Sequence, residues 1–266
     1  MVRRSGLLWG IILLLVGLLL LLSNLGLVSL DAWGAVWAVV LIVSGAAILW
    51  QVSAGPGPVD GEEVSIPVGG AIAARVHLKH GAGRLRIRGG AGAGMLIEGT
   101  FDGGLHYRTQ RRGDEVEVEI SPRGFPMVLA PWNWGGEGYG WTFGLNTDIP
   151  MTLAIETGAS EARLDLSEVR VTDLRLQAGA SSANVVLPAS AGHARVRIAA
   201  GAASVSLRVP QEVAAKVRCR GALASVDVDE DRFPRVGGGY QSPGYDVAEN
   251  KIDIEVEAGV GSFRVR

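Results

Sequence analysis

A short glycine-bearing turn returns through the second half of this chain at a near-constant interval, and few folds accept such a rhythm. It reads TGASEA from Thr157, AGASSA from Ala178, AGAASV from Ala200 and RGALAS from Arg220, which spaces Gly158, Gly179, Gly201 and Gly221 by 21, 22 and 20 residues. A further copy, AGVGSF from Ala258, follows an insertion (231–250), and a degenerate early one, HGAGRL, begins at His80. A period near twenty residues marks a stacked repeat, in which each unit buries its apolar face against its neighbours.

Between the turns, apolar and polar residues swap at every position, as in Ala194-Arg195-Val196-Arg197-Ile198 and Ile252-Asp253-Ile254-Glu255-Val256. That period of two predicts half-buried strands. Each unit is expected to hold two short strands, one ending at the glycine turn and one beginning after it, with like strands of successive units aligned. Val185, Leu187, Val196, Ile198, Val205, Leu207, Val217, Val226, Val228, Ile252 and Ile254 should point inward. Arg195, Arg197, Ser206, Arg208, Lys216, Arg218, Asp227 and Asp253 should point outward.

The first fifth of the chain follows another rule. No residue from Ser5 to Leu30 is charged, and after Asp31 no charge appears until Asp60. Leu7–Leu22 and Ala32–Trp50 are each apolar, and a bilayer core about 30 Å thick needs roughly 20 helical residues. Ser23-Asn24-Leu25-Gly26 divides the two stretches, so residues 1–50 are expected to form a two-helix transmembrane hairpin. Trp9 and Trp50 fall at its open ends and Trp33 and Trp37 just after its turn, where an indole can keep its N–H in water. Arg3 and Arg4 are the basic residues beside the helices, so the positive-inside rule places the N-terminus, and after two crossings the rest of the chain, in the cytoplasm. Residues 51–61, with two prolines and three glycines, read as a linker into a β-repeat domain over 62–266, itself interrupted at 122–147 and 231–250.

The segment Gly10–Trp50 resembles the LiaI/LiaF-type transmembrane region, with Asn24-Leu25-Gly26 at the turn, Trp33 and Trp37 in the second helix, and Gly45-Ala46-Ala47-Ile48-Leu49 at its end. The Gly-Ala-Ser repeats are similar to the toastrack-type, adhesin-like β domain. Together these resemblances imply a LiaF-like fold, a membrane hairpin carrying an all-β, solenoid-like stack. They imply a membrane-bound regulator that restrains a sensor histidine kinase of the bacterial cell-envelope stress response, and they bring no catalytic residues.

Chemistry is sparse on the chain's own terms. A formal charge of −2 argues against a nucleic-acid binder, and a single cysteine excludes an internal disulfide or a Cys-based zinc site. His77 and His80 lie three apart on an alternating strand, hence on opposite faces, so they should not chelate a metal. Gly179-Ala180-Ser181-Ser182 has no helix after it and repeats at Gly158, so a turn explains it better than a nucleophile elbow. Gly89–Gly94 lacks phosphate-loop spacing, and Cys219 falls on the inward phase as a core thiol. No enzyme, cofactor, metal site or small-molecule substrate is expected.

Two features could bind something. Arg75, Lys79, Arg84, Arg86, Arg88, Arg108, Arg111 and Arg112 face only Glu98 and Asp102 within their own stretch, and could lie on anionic lipid or be a solvated strand face. Trp132, Trp134, Tyr139, Trp141 and Phe143, in a glycine-rich stretch, could capture a protein partner or cap the open end of the stack. The expected function is membrane-anchored regulation by protein contact, with a histidine kinase or the chain itself as partner. The alternative is a self-assembling membrane scaffold or adhesin-like module.

Overall fold

The computed structural model describes residues 61–123 and 140–266. The expected transmembrane helices and the linker up to residue 60 lie outside the described residues. The strands are β1 (Gly61–Pro67), β2 (Ala73–Gly89), β3 (Met95–Asp102), β4 (Leu105–Arg112), β5 (Glu115–Pro122), β6 (Gly140–Leu145) and β7 (Met151–Asp165). After them come β8 (Val171–Ala178), β9 (Ser182–Val186), β10 (His193–Arg208), β11 (Ala214–Val228), β12 (Arg235–Val236), β13 (Gly239–Gln241) and β14 (Lys251–Val265). A 3-10 turn over Tyr245–Val247 precedes the last strand. Among the described residues no helix is long and apolar enough to cross a membrane.

The repeats stack as parallel strands bent at their glycines. Beside β2 run β7, then β8 and β9 together, then β10, β14 and β11. Only one unit divides into two strands at its glycine; β2, β7, β10, β11 and β14 run through theirs. Continuity survives because the ladders resume across the corner: β2 pairs with β7 at His80–Thr157 and again at Ala82–Ala159, and β10 with β14 at Ala200–Ala258 and again at Ala202–Val260. With its backbone groups satisfied there, the strand bends and does not break.

The bend shifts the side-chain phase by one residue. In β10, Ala194, Val196, Ile198 and Ala200 point inward before the corner, Gly201 and Ala202 both face out, and Ala203, Val205 and Leu207 point inward after it. Each arm therefore buries its own apolar face in one continuous core. Of the eleven residues expected inward, all but Val226 are under 9 % exposed; Val226 is 39 % exposed. Its phase is right, since it stands in register with buried Phe263 of β14. Among the described residues no further coil covers it from the other side.

The stack departs from chain order at both ends. The last strand, β14, lies between β10 and β11, parallel to both. The insertion over 231–250 returns the chain far enough for this, and Ile252, Ile254, Val256, Phe263 and Val265 are buried between two neighbours. Arg232 pins the connection below, donating to the Val209 carbonyl at 2.6 Å and to those of Pro210 and Val213. At the opposite end β5 and β6 pair in parallel with the two arms of β2, completing one more coil. Antiparallel β4 covers β5, and β3 followed by β1 covers β6.

Candidate functional site

The five aromatics singled out from sequence separate. Trp132, Trp134 and Tyr139 lie outside the described residues. Trp141 and Phe143 alternate inward along β6 and are 1 % and 2 % exposed, so they form core and present no surface to a partner. The Trp141 ring meets Phe101 edge-on at 5.4 Å and His80 at 5.1 Å, and Phe143 stacks on Phe101 at 5.2 Å. Burial leaves the indole satisfied, because Nε1–H donates to the Asp102 carbonyl at 3.2 Å.

The basic residues meet carboxylates that a count ending at Arg112 leaves out. Glu115, Glu117 and Glu119 alternate along β5, which pairs with both β2 and β4. Arg75 reaches Glu115 at 3.3 Å, Lys79 reaches Glu119 at 3.1 Å and Arg112 reaches Glu117 at 3.4 Å. The Lys79 hydrogen bond, then its charge, hold the Glu119 carboxyl below its ordinary range. Arg111 donates to the carbonyls of Gly69, Gly70 and Gly113. Arg84 and Arg108 stand opposite Glu161 and Glu119 in the ladders, while Arg86 and Arg88 are exposed on β2. The face is a lattice of mixed charge, and exposed pairs of this kind contribute little to stability. The Glu-x-Glu-x-Glu alternation at 115–119 is the signal that reveals it.

The two histidines of the early repeat diverge as strand geometry requires. His77 is half-exposed with Nε2 2.8 Å from Glu156 Oε1, whereas His80 is buried against Trp141. Among the described residues no group of three or more His, Cys, Asp or Glu gathers to hold a metal ion.

A cluster that sequence reading passed over joins the insertion to the stack. Asp253 accepts from Tyr245 Oη at 2.8 Å through one oxygen and from His193 Nε2 at 2.8 Å through the other. Burial pushes the Asp253 carboxyl up, but hydrogen bonds from His193 and Tyr245 and the nearby His193 and Lys216 charges outweigh it and hold it below its ordinary value. Burial, then the bond to Asp253, pushes the Tyr245 phenol up. Lys216 and Lys251 lie 5.9 and 5.7 Å from the Tyr245 ring centre. This cluster holds the insertion against β14 and β11. Cys219, half-buried against the core, has its thiol pushed up to about 11 by burial.

Along the bend runs an open trench of about 990 Å³, where the glycines of successive coils line up beside Lys79, Glu156, Gln177, Arg220 and Glu257. Its depth follows from packing. A Cβ on Gly158, Gly259, Gly179 or Gly201 would lie 2.4, 2.8, 3.0 or 3.3 Å from the carbonyl oxygen of the adjacent coil's glycine.

Three comparisons bear on this architecture. Residues 55–208 match the family model of the N-terminal domain of toast_rack, and residues 8–61 match that of the LiaF transmembrane domain. A crystal structure from Clostridium sporogenes ATCC 15579, provisionally described as a cell adhesion protein, superposes with a TM-score of 0.71. It is 22 % identical, over 77 % of this chain and 98 % of its own, a likeness of fold. No curated protein matches the chain.

Proposed function

The chain belongs to the family of the toast_rack N-terminal domain, here preceded by a segment matching the LiaF transmembrane domain, and from that premise we propose a membrane-anchored regulator of the bacterial cell-envelope stress response. It acts by protein contact, without catalysis, on a membrane sensor histidine kinase. The observation that carries this reading is the union in one chain of a LiaF-type membrane segment (8–61) with a toast-rack domain (55–208). The domain suits contact work, since its inner bent strands β2, β7, β10 and β14 are held on both sides and fix outward side chains in register. The contact is assigned to Trp132, Trp134 and Tyr139, which the chain carries between β5 and β6. In this reading the domain sits on the cytoplasmic side of a two-pass anchor, an orientation that Arg3 and Arg4 support under the positive-inside rule.

The test is capture of the tagged full-length chain from native membranes after mild cross-linking, beside an envelope-stress reporter in cells lacking the gene. A histidine kinase in the eluate, lost with Trp132→Ala/Trp134→Ala while the melting temperature holds, supports the reading. An unchanged reporter and no kinase overturn it. A second reading, an adhesin-like module, is favoured by the cell-adhesion description of the Clostridium sporogenes protein. It requires the domain outside the cell, so a C-terminal reporter that is active only outside separates the two.

A further inference from the structure

The two ends of the stack are finished differently. At one end β1, β3 and β4 cover both arms with antiparallel strands. At the other end β13 pairs with β11 only at Lys216 and Val217, and Ser242 continues this cover at Ala215. Gly239 of β13 reaches as far as Arg218, and from Cys219 to Val228 no strand among the described residues lies on the outer side of β11. Val226 records the gap, being 39 % exposed where its register mate Phe263 is 2 % and Val205 in the next coil is 4 %.

Natural sheet edges of this kind are usually blunted by charge, proline or a covering element. Here Gly221–Val226 contains neither charge nor proline. The charges lie at its two ends instead, Arg218 and Arg220 before the bend and Asp227 and Asp229 after it. This pattern is self-complementary in one direction only. In an antiparallel pair of two copies, Arg220 of each meets Asp227 of the other, and Arg218 meets Asp229. A parallel pair would set arginine against arginine. The corner of β11 is at Ala222 and Leu223, in line with Gly201 and Ala202 of β10, and lies within one residue of the centre of the antiparallel pairing, so a two-fold axis near it exchanges the two arms of a bent strand. Asp227 is already oriented outward by Arg264 at 3.0 Å and Arg266 at 2.7 Å, so Arg220 would join an existing network.

We propose that the open edge of β11, from Cys219 to Asp229, docks a second copy of this chain by antiparallel strand pairing about a two-fold axis near the bend. Main-chain hydrogen bonds supply the attraction and the flanking charges set direction and register. The dimer closes the stack over Val226. This inference stands on the strand edge alone and is independent of the regulatory reading.

Light scattering of the full-length chain in detergent, corrected for bound detergent, tests it. The unaltered chain is expected to be dimeric. Arg218→Asp/Arg220→Asp and Asp227→Arg/Asp229→Arg each leave an edge of one sign and should be monomeric at a concentration where the unaltered chain is dimeric, a loss of at least about tenfold in affinity. An equimolar mixture of the two should return to the dimer mass, because each then meets its complement. Val226→Lys, which leaves every ion pair in place, should also give a monomer with an unchanged β signal in circular dichroism. Monomeric unaltered chain, a foreign strand in the measured mass, a dimer that persists in all three variants, or a mixture that stays monomeric while both chains keep their β signal overturns the proposal.

Discussion

A Cβ placed on Gly158 would lie 2.4 Å from the carbonyl oxygen of Gly81 in the neighbouring coil. That oxygen belongs to backbone held by the ladder between β2 and β7, so neither side can yield cheaply. Gly158→Ala should therefore cost about 1–3 kcal/mol, the range for overpacking a fixed site. At Gly201 the corresponding distance is 3.3 Å, and the entropy that alanine removes from the unfolded chain, about 0.4–1 kcal/mol, offsets most of the crowding. Thermal melts of the full-length chain should rank Gly158→Ala well below Gly201→Ala. The reverse order would mean that the coils are spaced more loosely than the carbonyl contacts indicate.

Trp141 gives a second test, because sequence leaves it between partner capture and a cap on the stack, and the fold assigns it to the core. Its indole is packed against Phe101 and His80. Trp141→Ala should cost about 3–5 kcal/mol, as large-to-small changes of buried aromatics do. Gly99 is part of the same fit, since a Cβ there would fall 2.3 Å from the Thr142 carbonyl oxygen. A Trp141→Ala chain that melts normally and loses only a binding partner would return the residue to the surface.

The contrast between these residues shows what sequence pattern carries and what it does not. Alternation and the spacing of glycines report on a residue's own strand, so the inward face and the corners are legible for every repeat, including the early copy at His80. Neighbours in space are another matter. The pairing of Arg75, Lys79 and Arg112 with β5 depends on which strand lies alongside, and β14 enters between β10 and β11 against chain order. Glycines and aromatics together suggest an adaptable stretch around Trp141, whereas from Gly140 onward the same residues alternate as a strand. Alternation puts Val226 on the correct face, but exposure at the end of a stack depends on what stacks next.

Asp253 predicts how one part of the stack answers acid. Its carboxyl is held below its ordinary value in the folded chain, so the folded state binds fewer protons than the unfolded one across the acid range. The stability it contributes is fully present above the unfolded carboxylate value of about 3.9 and is lost as pH falls through the lower folded value. Asp253→Asn removes that titration, so the drop in melting temperature between about pH 5 and pH 3 should be shallower than in the unaltered chain. Tyr245→Phe, which deletes one donor to the carboxylate, should move the drop in the same direction by less. An acid limb identical in all three chains would mean that Asp253 titrates as it does in the unfolded chain.

Face assignment is tested at two adjacent residues of β10. Val196 is 1 % exposed, and Val196→Asp would bury a carboxylate with no partner, at about 4 kcal/mol or more. Sequence alone makes Arg197→Asp nearly neutral. The fold makes it mildly costly, because Arg197 lies 3.8 Å from Asp173 and 3.9 Å from Glu255, and the reversal sets a third carboxylate between them. A loss of about 0.5–1 kcal/mol is expected, reduced by salt. Chemical denaturation at low and high salt reads both changes, and a larger loss for Arg197→Asp would reverse the assignment of faces.

Cys219 is the one thiol in the chain, so its chemistry can be read without interference. It stands on β11 in register with Val256, half-buried against the core, and burial pushes its thiol up to about 11. The thiolate is the reacting species. At pH 8 a group with that value is ionised roughly two-hundredfold less than an ordinary cysteine near 8.5. A more basic thiolate is also the better nucleophile, which recovers roughly tenfold of the loss through a Brønsted slope of about 0.4–0.5. Alkylation of the folded chain at pH 8 should therefore run at least about tenfold slower than in denaturant. The rate should keep climbing with pH beyond 9, where an ordinary thiol levels off. Mass spectrometry of the labelled chain gives both numbers. Labelling as fast in the fold as in denaturant would place Cys219 in water, and with it the inward phase of the first arm of β11.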